Sequence, residues 1–194
     1  RLCSTAYVFP AAVSGGKDST VVAKLCVEAL GADRVIGVMM PCGVQKDISD
    51  SIRVCEYLGI KNYTINIEDS VNATLKQMED AGVEITDRTR VNRPPRIRMS
   101  TLYAVSQSHN GRVSNNCNLS ENICGFSTRY GDDAGDFSPL ADLTTVEIVQ
   151  IGEIVEGDGT LYFKKCDQEG YFDYNVLSSG EKEVVDMLLD VIVK

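Results

Sequence analysis

Residues 5–31 read TAYVFPAAVSGGKDSTVVAKLCVEALG. The first nine are mostly apolar and short enough for a buried strand, although Pro10 cannot donate a backbone hydrogen bond to a sheet. From Ser19 to Leu30 apolar residues recur at helical spacing, and Gly31 is suited to end the helix. The segment is therefore predicted to form a strand, a glycine turn and a helix.

The alternation of strands and helices continues along the chain. Apolar runs predict further strands at 34–40, 62–66, 112–116 and 124–128, and helical periodicity predicts helices at 47–58, 68–81, 96–109, 144–154 and 181–193. Pro94 and Pro95 should open the helix at 96–109, because proline is tolerated in a first turn. Such alternation implies right-handed crossovers. We predict an α/β fold: an open doubly wound sheet, mostly parallel, with helices on both faces.

Length and composition indicate an ordinary globular protein. The chain has 194 residues, of which 43% are hydrophobic and 24% charged, and it contains no apolar run near the ~20 residues that a membrane span needs. We predict one domain over residues 1–194. No secretory signal pattern is visible at Arg1-Leu2-Cys3-Ser4, so a cytoplasmic location is expected.

The charge pattern excludes one class of partner and suggests another. A formal net charge of -9 argues against nucleic acid, because binding to a phosphate backbone needs a basic face. Residues 88–98 nevertheless hold five arginines and no acid, so a small anion is expected there. The seven cysteines form no C-x-x-C pair and are predicted to be reduced, structural thiols.

The glycine turn at residues 14–19 has the composition of a phosphate cradle. In open α/β sheets ligands bind beyond the carboxyl ends of the strands, where glycine amides and a helix N-terminus attract anions. Ser14 and Ser19 offer hydroxyl groups, and Asp18 is a candidate ligand for the Mg²⁺ that accompanies phosphates. A Walker A loop is excluded, because it would need glycine at Ala11 and serine or threonine at Asp18.

Four segments together resemble a known enzyme family. Ser14-Gly15-Gly16-Lys17-Asp18-Ser19 resembles the loop of the ATP pyrophosphatases. Three more segments resemble the ammonia-dependent NAD synthetases within that superfamily: 45–50 (QKDISD), 92–99 (NRPPRIRM) and 118–137 (NLSENICGFSTRYGDDAGDF). The resemblance covers roughly residues 12 to 152 and implies the adenine nucleotide alpha hydrolase-like fold.

The resemblance implies a reaction. Nicotinate adenine dinucleotide (deamido-NAD) would be adenylated by ATP with release of pyrophosphate, and ammonia would then displace AMP to give NAD. It further implies Mg²⁺, ATP as co-substrate and a homodimer. The net charge and the lack of a long apolar run separately predict no nucleic acid and no membrane partner. A glutaminase domain is not recognisable in the sequence, so free ammonia is the expected nitrogen source.

The resemblance also assigns candidate site residues. Asp18 and Glu121 are the candidate catalytic residues and metal ligands; Arg96, Arg129 and Asp136 are the candidate contacts of deamido-NAD. The candidate ATP-binding residues are Ser14, Gly15, Gly16, Lys17, Asp18, Ser19, Gln45, Asn116 and Thr145. Several depart from the family pattern: Asn116 stands in place of a threonine, Thr145 in place of a lysine, Arg129 in place of a lysine and Met39 in place of an arginine.

Other readings stay open at this point. One alternative is a different ATP pyrophosphatase, either GMP-synthetase-like or tRNA-thiolating. A thiolating enzyme would be expected to have paired cysteines or a basic face, and this sequence has neither. A nucleotide-binding module without activity is the alternative from another class, suggested by Thr145. Purely structural roles compete as well: a capped turn at 14–19, surface ion pairs for Arg96, and a capping role for His109.

Overall fold

The structure, a computed structural model, describes residues 9–14, 16–45 and 48–151. Three strands, β1 (Phe9–Ala12), β2 (Val35–Met39) and β3 (Lys61–Thr64), form one parallel sheet in the order β1-β2-β3. Ala11 lies opposite Gly37, and Gly37 lies opposite Asn62. The predicted parallel pairing of the first three strands is confirmed.

Six α-helices connect and flank these strands within the described residues. They are α1 (Lys17–Leu30), α2 (Ile48–Tyr57), α3 (Glu68–Asp80), α4 (Asp87–Ser108), α5 (Leu119–Cys124) and α6 (Thr145–Ile151). A short 3-10 turn at Ala32–Arg34 leads into β2. Gly31 follows α1 with a φ of 90°, a backbone conformation that favours glycine, so the predicted end of that helix is confirmed.

The central strand β2 is buried along its whole length and separates two apolar clusters. Val35 and Met39 pack with residues of α1, α2 and α6 on one face. Ile36 and Val38 pack with residues of α3 and α4 on the other face. Because successive side chains of a strand point to opposite faces, one strand can serve both clusters. The predicted α/β architecture with helices on both faces is confirmed.

The start of α4 differs from the prediction. The helix begins at Asp87 rather than at 96, and Pro94 and Pro95 lie inside it. Thr86 explains the early start, because its hydroxyl accepts a hydrogen bond from the backbone N–H of Thr89 at 3.2 Å and caps the helix. Each proline removes one backbone hydrogen bond from the helix, because it has no N–H to donate. The cap at Thr86 and the packing of α4 outweigh that loss.

The strands predicted at 112–116 and 124–128 are wrong. The first segment pairs at a single position, where Ser114 forms a parallel bridge with Phe137. The second follows the short helix α5, whose start is fixed by a side-chain cap and whose end is fixed by Gly125 at a φ of 64°. Local capping therefore overrides the apolar pattern there.

The last predicted helices lie near or beyond Ile151, the last residue that the structure describes. Helix α6 confirms the predicted helix at 144–154 as far as Ile151. The rest of that helix, the helix predicted at 181–193 and Gly15 lie outside the described residues. Of the helices that can be described, none combines the length and the apolarity required to cross a bilayer.

Candidate functional site

The turn between β1 and α1 is held by its own hydroxyl groups. Ser14 Oγ lies 3.0 Å from Ser19 Oγ, and Ser19 Oγ donates to the carbonyl of Gly16 at 3.1 Å. The backbone N–H of Ser14 donates to Ser19 Oγ at 3.2 Å. Ser19 is 3% exposed, so its hydroxyl shapes the turn from inside while Ser14 stays accessible.

The first turn of α1 presents backbone donors to this site. Gly16 is the N-cap of the helix and supplies no side-chain cap, which leaves the first N–H groups of α1 for an external acceptor. The positive end of the helix dipole adds to the attraction for an anion. This arrangement suits a phosphate group next to Ser14 and Gly16.

Asp18 stands on that first turn and contacts two neighbours. Lys17 Nζ donates to Asp18 Oδ2 at 2.6 Å, and Asn118 Nδ2 donates to Asp18 Oδ1 at 3.3 Å. Asn118 is the N-cap of α5, so the second contact joins the starts of two helices. Both helix N-termini therefore meet at one carboxylate.

Glu121 belongs to the capping box of α5. Its backbone N–H donates to Asn118 Oδ1 at 3.0 Å, and its Oε2 accepts from the backbone N–H of Asn118 at 3.0 Å. Its Oε1 makes no hydrogen bond within the described part of the chain. One oxygen thus fixes the side chain, and the other remains available to a ligand.

A cavity of about 250 Å³ brings these residues together. Six of the residues predicted from the sequence line it: Ser14, Gly16, Asp18, Ser19, Asn116 and Glu121. Sequence reasoning missed other lining residues, among them Met99, Ser114, Asn115, Cys117 and Asp132. Asp132 could have been predicted as a site residue, because it lies in the segment 118–137 that resembles the family. Ser114 and Asn115 carried no signal beyond their place in the wrongly predicted strand.

Two polar groups in the cavity wall lack a partner. Asn116 Nδ2 donates to the carbonyl of Ala12 at 2.8 Å, but its buried Oδ1 has no hydrogen bond within the described residues. The same holds for the hydroxyl of Ser114, which is 2% exposed. Because unpaired buried polar atoms are costly, they indicate a polar ligand or water at this wall.

The cavity is acidic. Cys117 Sγ donates to the carbonyl of Asp132 at 3.1 Å. Burial, and then the nearby carboxylates of Glu121, Asp132, Asp133 and Asp18, raise the pKa of the Cys117 thiol to about 12. The thiol is therefore neutral at physiological pH, and the surrounding negative charge favours a bound cation.

The carboxylates of Asp18 and Glu121 could supply only part of the coordination shell of a Mg²⁺ ion. No group of three or more histidine, cysteine, aspartate or glutamate side chains forms a metal site in the ranges 9–14, 16–45 and 48–151. Asp18 and Glu121 instead offer two carboxylates beside the turn between β1 and α1. Mg²⁺ is commonly held by one or two carboxylates together with substrate phosphates and water, so this donor set fits.

Three predicted ATP-binding residues lie outside the cavity lining: Lys17, Gln45 and Thr145. Thr145 begins α6, and its backbone N–H donates to Ser120 Oγ at 3.2 Å, which packs the start of α6 beside α5. Lys17 reaches the site indirectly, through its ion pair with Asp18. Gly15 lies outside the described residues.

The predicted contacts of deamido-NAD also lie outside the lining. Arg96 Nε donates to the carbonyl of Arg129 at 3.1 Å, and the Arg129 guanidinium lies 5.0 Å from the centre of the Tyr130 ring. Both arginines are exposed, and neither forms an ion pair within the described residues. The Arg96 side chain therefore contacts the backbone of Arg129, and the Arg129 guanidinium lies over the Tyr130 ring.

Asp136 has a different environment from the two arginines. Its Oδ2 accepts from the backbone N–H of Val113 at 2.7 Å, and its Oδ1 accepts from the Tyr103 hydroxyl at 3.5 Å. These bonds join the loop before Phe137 to the segment that forms the cavity wall. His109 is the C-cap of α4 and lies 3.0 Å from the Tyr63 hydroxyl, so its predicted capping position is confirmed.

Comparisons with known proteins agree with the geometry. The family model described as NAD synthase matches residues 7–164. The NH(3)-dependent NAD(+) synthetase of Thermococcus sibiricus is 37% identical over 153 residues, which cover 79% of this chain and 59% of the relative. The synthetase of the same name from Pyrococcus furiosus is 32% identical over 179 residues, 91% of this chain and 68% of the relative.

Solved structures show the same fold. The NH3-dependent NAD synthetase from Campylobacter jejuni, in complex with the nitrate ion, superimposes with a TM-score of 0.68 at 34% identity, over 75% of this chain and 62% of that chain. NMN synthetase from Francisella tularensis, at 24% identity and a TM-score of 0.71, shares the fold over 96% of this chain and 85% of that chain. The chain spans 59% and 56% of the length of its Thermococcus sibiricus and Archaeoglobus fulgidus relatives.

Proposed function

This chain belongs to the NAD synthase family, and from that premise we propose that it amidates deamido-NAD with ammonia at the expense of ATP. The products are NAD, AMP and pyrophosphate, formed through an adenylated intermediate. The relatives from Thermococcus sibiricus, Archaeoglobus fulgidus and Pyrococcus furiosus are NH(3)-dependent NAD(+) synthetases, which supports this class of ligase. The proposal takes residues 1–194 as a single domain that acts on small molecules in the cytoplasm.

One observation carries the proposal. Residues about a hundred positions apart in the sequence line one cavity beyond the carboxyl end of β1: Ser14, Gly16, Asp18 and Ser19 from one segment, and Asn116, Cys117 and Glu121 from the other. In open α/β sheets this edge is the usual place for a nucleotide. A phosphate-binding turn and two carboxylates with oxygens suited to Mg²⁺ are what cleavage of ATP requires.

The residues of the cavity have separable roles in this proposal. Ser14, Gly16 and the first N–H groups of α1 bind the pyrophosphate that leaves, and Ser19 shapes the turn. Gly15 is counted among the ATP-binding residues on the sequence resemblance alone. Lys17, Gln45, Asn116 and Thr145 contribute to ATP binding from the surrounding wall and loops. Asn116 Oδ1 supports this role, since it is a buried acceptor without a partner in the described structure.

Asp18 and Glu121 are the proposed ligands of Mg²⁺. When bound, the ion neutralises the negative charge that develops on the triphosphate. The substrate carboxylate oxygen attacks the α-phosphorus, and the bond from that phosphorus to the β-phosphate oxygen breaks. Ammonia then attacks the carbonyl carbon, loses a proton, and displaces AMP together with the original carboxyl oxygen.

Arg96 and Arg129 are proposed to bind the phosphates of deamido-NAD. Arg96 contacts the backbone of Arg129, and both side chains are exposed without a carboxylate partner among the described residues, which supports this role because a guanidinium offers several donors to an anion. Asp136 contributes by holding the neighbouring loop and, in this proposal, by contacting the same substrate. Because α4 carries Arg96, a homodimer that joins two copies of α4 would place the substrate at its seam.

A direct assay tests the proposal. The protein is incubated with ATP, Mg²⁺, ammonium and deamido-NAD, and NAD, AMP and pyrophosphate are measured. Equal amounts of the three products support the proposal. ATP binding without AMP formation would identify a nucleotide-binding module, and AMP formation only with another acceptor would identify a different ATP pyrophosphatase.

A further inference from the structure

Asn118 lies between the two carboxylates assigned to the metal ion. Its side chain is 1% exposed, and both of its polar atoms are engaged. Nδ2 donates to Asp18 Oδ1 at 3.3 Å, while Oδ1 accepts from the backbone N–H of Glu121 at 3.0 Å. The backbone N–H of Asn118 donates to Glu121 Oε2 at 3.0 Å. One buried residue therefore contacts both carboxylates.

The orientation of the Asn118 amide is determined by its partners. The backbone N–H of Glu121 can only donate, so the atom that faces it must be the amide oxygen. The amide nitrogen then faces Asp18, whose ionised carboxylate can only accept. Reversing the amide would lose both bonds, and no third orientation serves both partners.

These contacts leave metal-binding capacity on each carboxylate. Glu121 Oε1 has no hydrogen bond in the part of the chain that the structure describes. The oxygens of Asp18 each accept one hydrogen bond, from Asn118 and from Lys17, and a carboxylate oxygen has two lone-pair sites. Partners of this kind fix the orientation of metal ligands, and their removal typically costs roughly 10- to 100-fold in metal affinity.

We propose that Asn118 is a positioning residue, which holds Asp18 and Glu121 in the mutual orientation that binds a divalent cation together with the nucleotide. It acts through the two carboxylates and does not contact the substrate. This inference rests on the metal role proposed for Asp18 and Glu121. The N-cap residue of α5 thus has a second role, which is to orient Asp18, a residue that lies a hundred positions earlier in the chain.

The test uses a substitution that keeps the cap. In Asn118→Ser the hydroxyl still caps α5, because serine is a preferred N-cap residue, but the donor to Asp18 is lost. Asn122→Ser is the matched control, since Asn122 is an exposed residue of the same helix. Affinity for α,β-methylene ATP is measured by calorimetry, once with saturating Mg²⁺ and once with a chelator.

We expect Asn118→Ser to weaken binding of the analogue about tenfold or more with Mg²⁺ and to leave binding without Mg²⁺ nearly unchanged. Asn122→Ser should match the wild type in both conditions. The experiment is repeated in an Asp18→Asn background, where the loss from Asn118→Ser should largely disappear, because coupled residues are not additive. Asn118→Thr, which also caps, replaces the serine variant if that variant does not fold.

The outcomes separate this inference from the proposed function. If the wild type needs Mg²⁺ for tight binding but Asn118→Ser behaves like Asn122→Ser, the positioning role is rejected and the proposed function is untouched. An equal loss with and without Mg²⁺, or an undiminished loss in the Asp18→Asn background, would also reject it. A selective loss with Mg²⁺ supports it even if the wild type forms no NAD. A wild type that binds the analogue equally well without Mg²⁺ overturns the metal role of Asp18 and Glu121 and this inference with it, whereas the assay of NAD formation decides the proposed function separately.

Discussion

Asn118 Nδ2 donates to Asp18 Oδ1 at 3.3 Å, a contact between residues a hundred positions apart. It joins the first turn of α1, which follows β1, to the cap of α5, which follows the segment that pairs with Phe137. The turn between β1 and α1 and the Glu121 carboxylate thereby belong to one cavity. The following changes test that relationship and its surroundings.

Asp18→Asn should remove most turnover while leaving the fold intact. The substitution retains the size of the side chain and removes the charge that would bind Mg²⁺. We expect kcat to fall by about 100-fold or more, and the free energy of unfolding to change by no more than about 1 kcal/mol. Steady-state kinetics at saturating Mg²⁺ and urea denaturation measure the two effects. Unchanged turnover would reject the metal role of Asp18.

Glu121→Gln separates the cap from the proposed metal site. Glutamine at this position can still complete the capping box, so the free energy of unfolding should stay within about 0.5 kcal/mol of the wild type. Turnover should nevertheless fall as it does in Asp18→Asn, and the double variant should lose much less than the product of the two single losses. If the Glu121→Gln variant is stable and has normal turnover, the metal role of Glu121 is rejected and only its capping role remains.

Arg96→Ala should affect one substrate more than the other. Arg96 contacts the backbone of Arg129 and does not line the cavity that is proposed to bind ATP. The KM for deamido-NAD should therefore rise about tenfold or more, the loss expected for a charge-assisted contact, while the KM for ATP changes little. Arg88→Ala, an exposed arginine near the start of the same helix, serves as the control. Equal changes in both KM values would contradict the assignment.

Gly135→Ala should destabilise the cavity wall. An added Cβ would lie 2.7 Å from Cβ and 2.8 Å from the backbone N of Asn115, which real contacts do not allow. We expect a loss of about 1–3 kcal/mol in the free energy of unfolding. Gly59→Ala is the comparison, because Gly59 has a φ of 64° but open space around it, and its loss should be about 1 kcal/mol. A smaller loss for Gly135→Ala than for Gly59→Ala would contradict the close contact.

The buried thiols should make stability depend on alkaline pH. The pKa of Cys26 and of Cys117 is raised from 9.0 to about 12, mainly by burial. Because the folded state disfavours the thiolate, these groups contribute no loss of stability below pH 9 and an increasing loss between pH 9 and pH 12. Cys26→Ser and Cys117→Ser should each flatten that decline in urea denaturation series. An unchanged slope would contradict the raised pKa values.

The sequence predicts the first half of the fold well, for a physical reason. Strands such as β2 are continuous apolar runs, and α1 and α3 carry apolar stripes that end at a glycine, so pattern and structure agree. Helix α4 starts early because Thr86 caps it, although its first turns carry no apolar stripe. Helix α5 was missed because six residues are too few for a periodic signal.

Some residues of the candidate site could likewise be predicted from the sequence, and others could not. Ser14, Asp18 and Glu121 could be predicted because a glycine turn or a recognisable motif marks each position in the sequence. The contact between Asn118 and Asp18 could not be predicted, since the cap that Asn118 forms is local but this contact depends on how two distant helix starts meet. Ser114 and Asn115 reach the cavity only because the segment pairs with Phe137, which no local pattern indicates.

The transfer of one oxygen atom tests the central claim most directly. Deamido-NAD is prepared with oxygen-18 in both oxygens of its nicotinate carboxylate and is incubated with the protein, ATP, Mg²⁺ and ammonium. If the carboxylate attacks the α-phosphorus and AMP departs with that oxygen, mass spectrometry will find one labelled oxygen in AMP for each NAD formed. Unlabelled AMP, or ADP in place of AMP, would contradict the account.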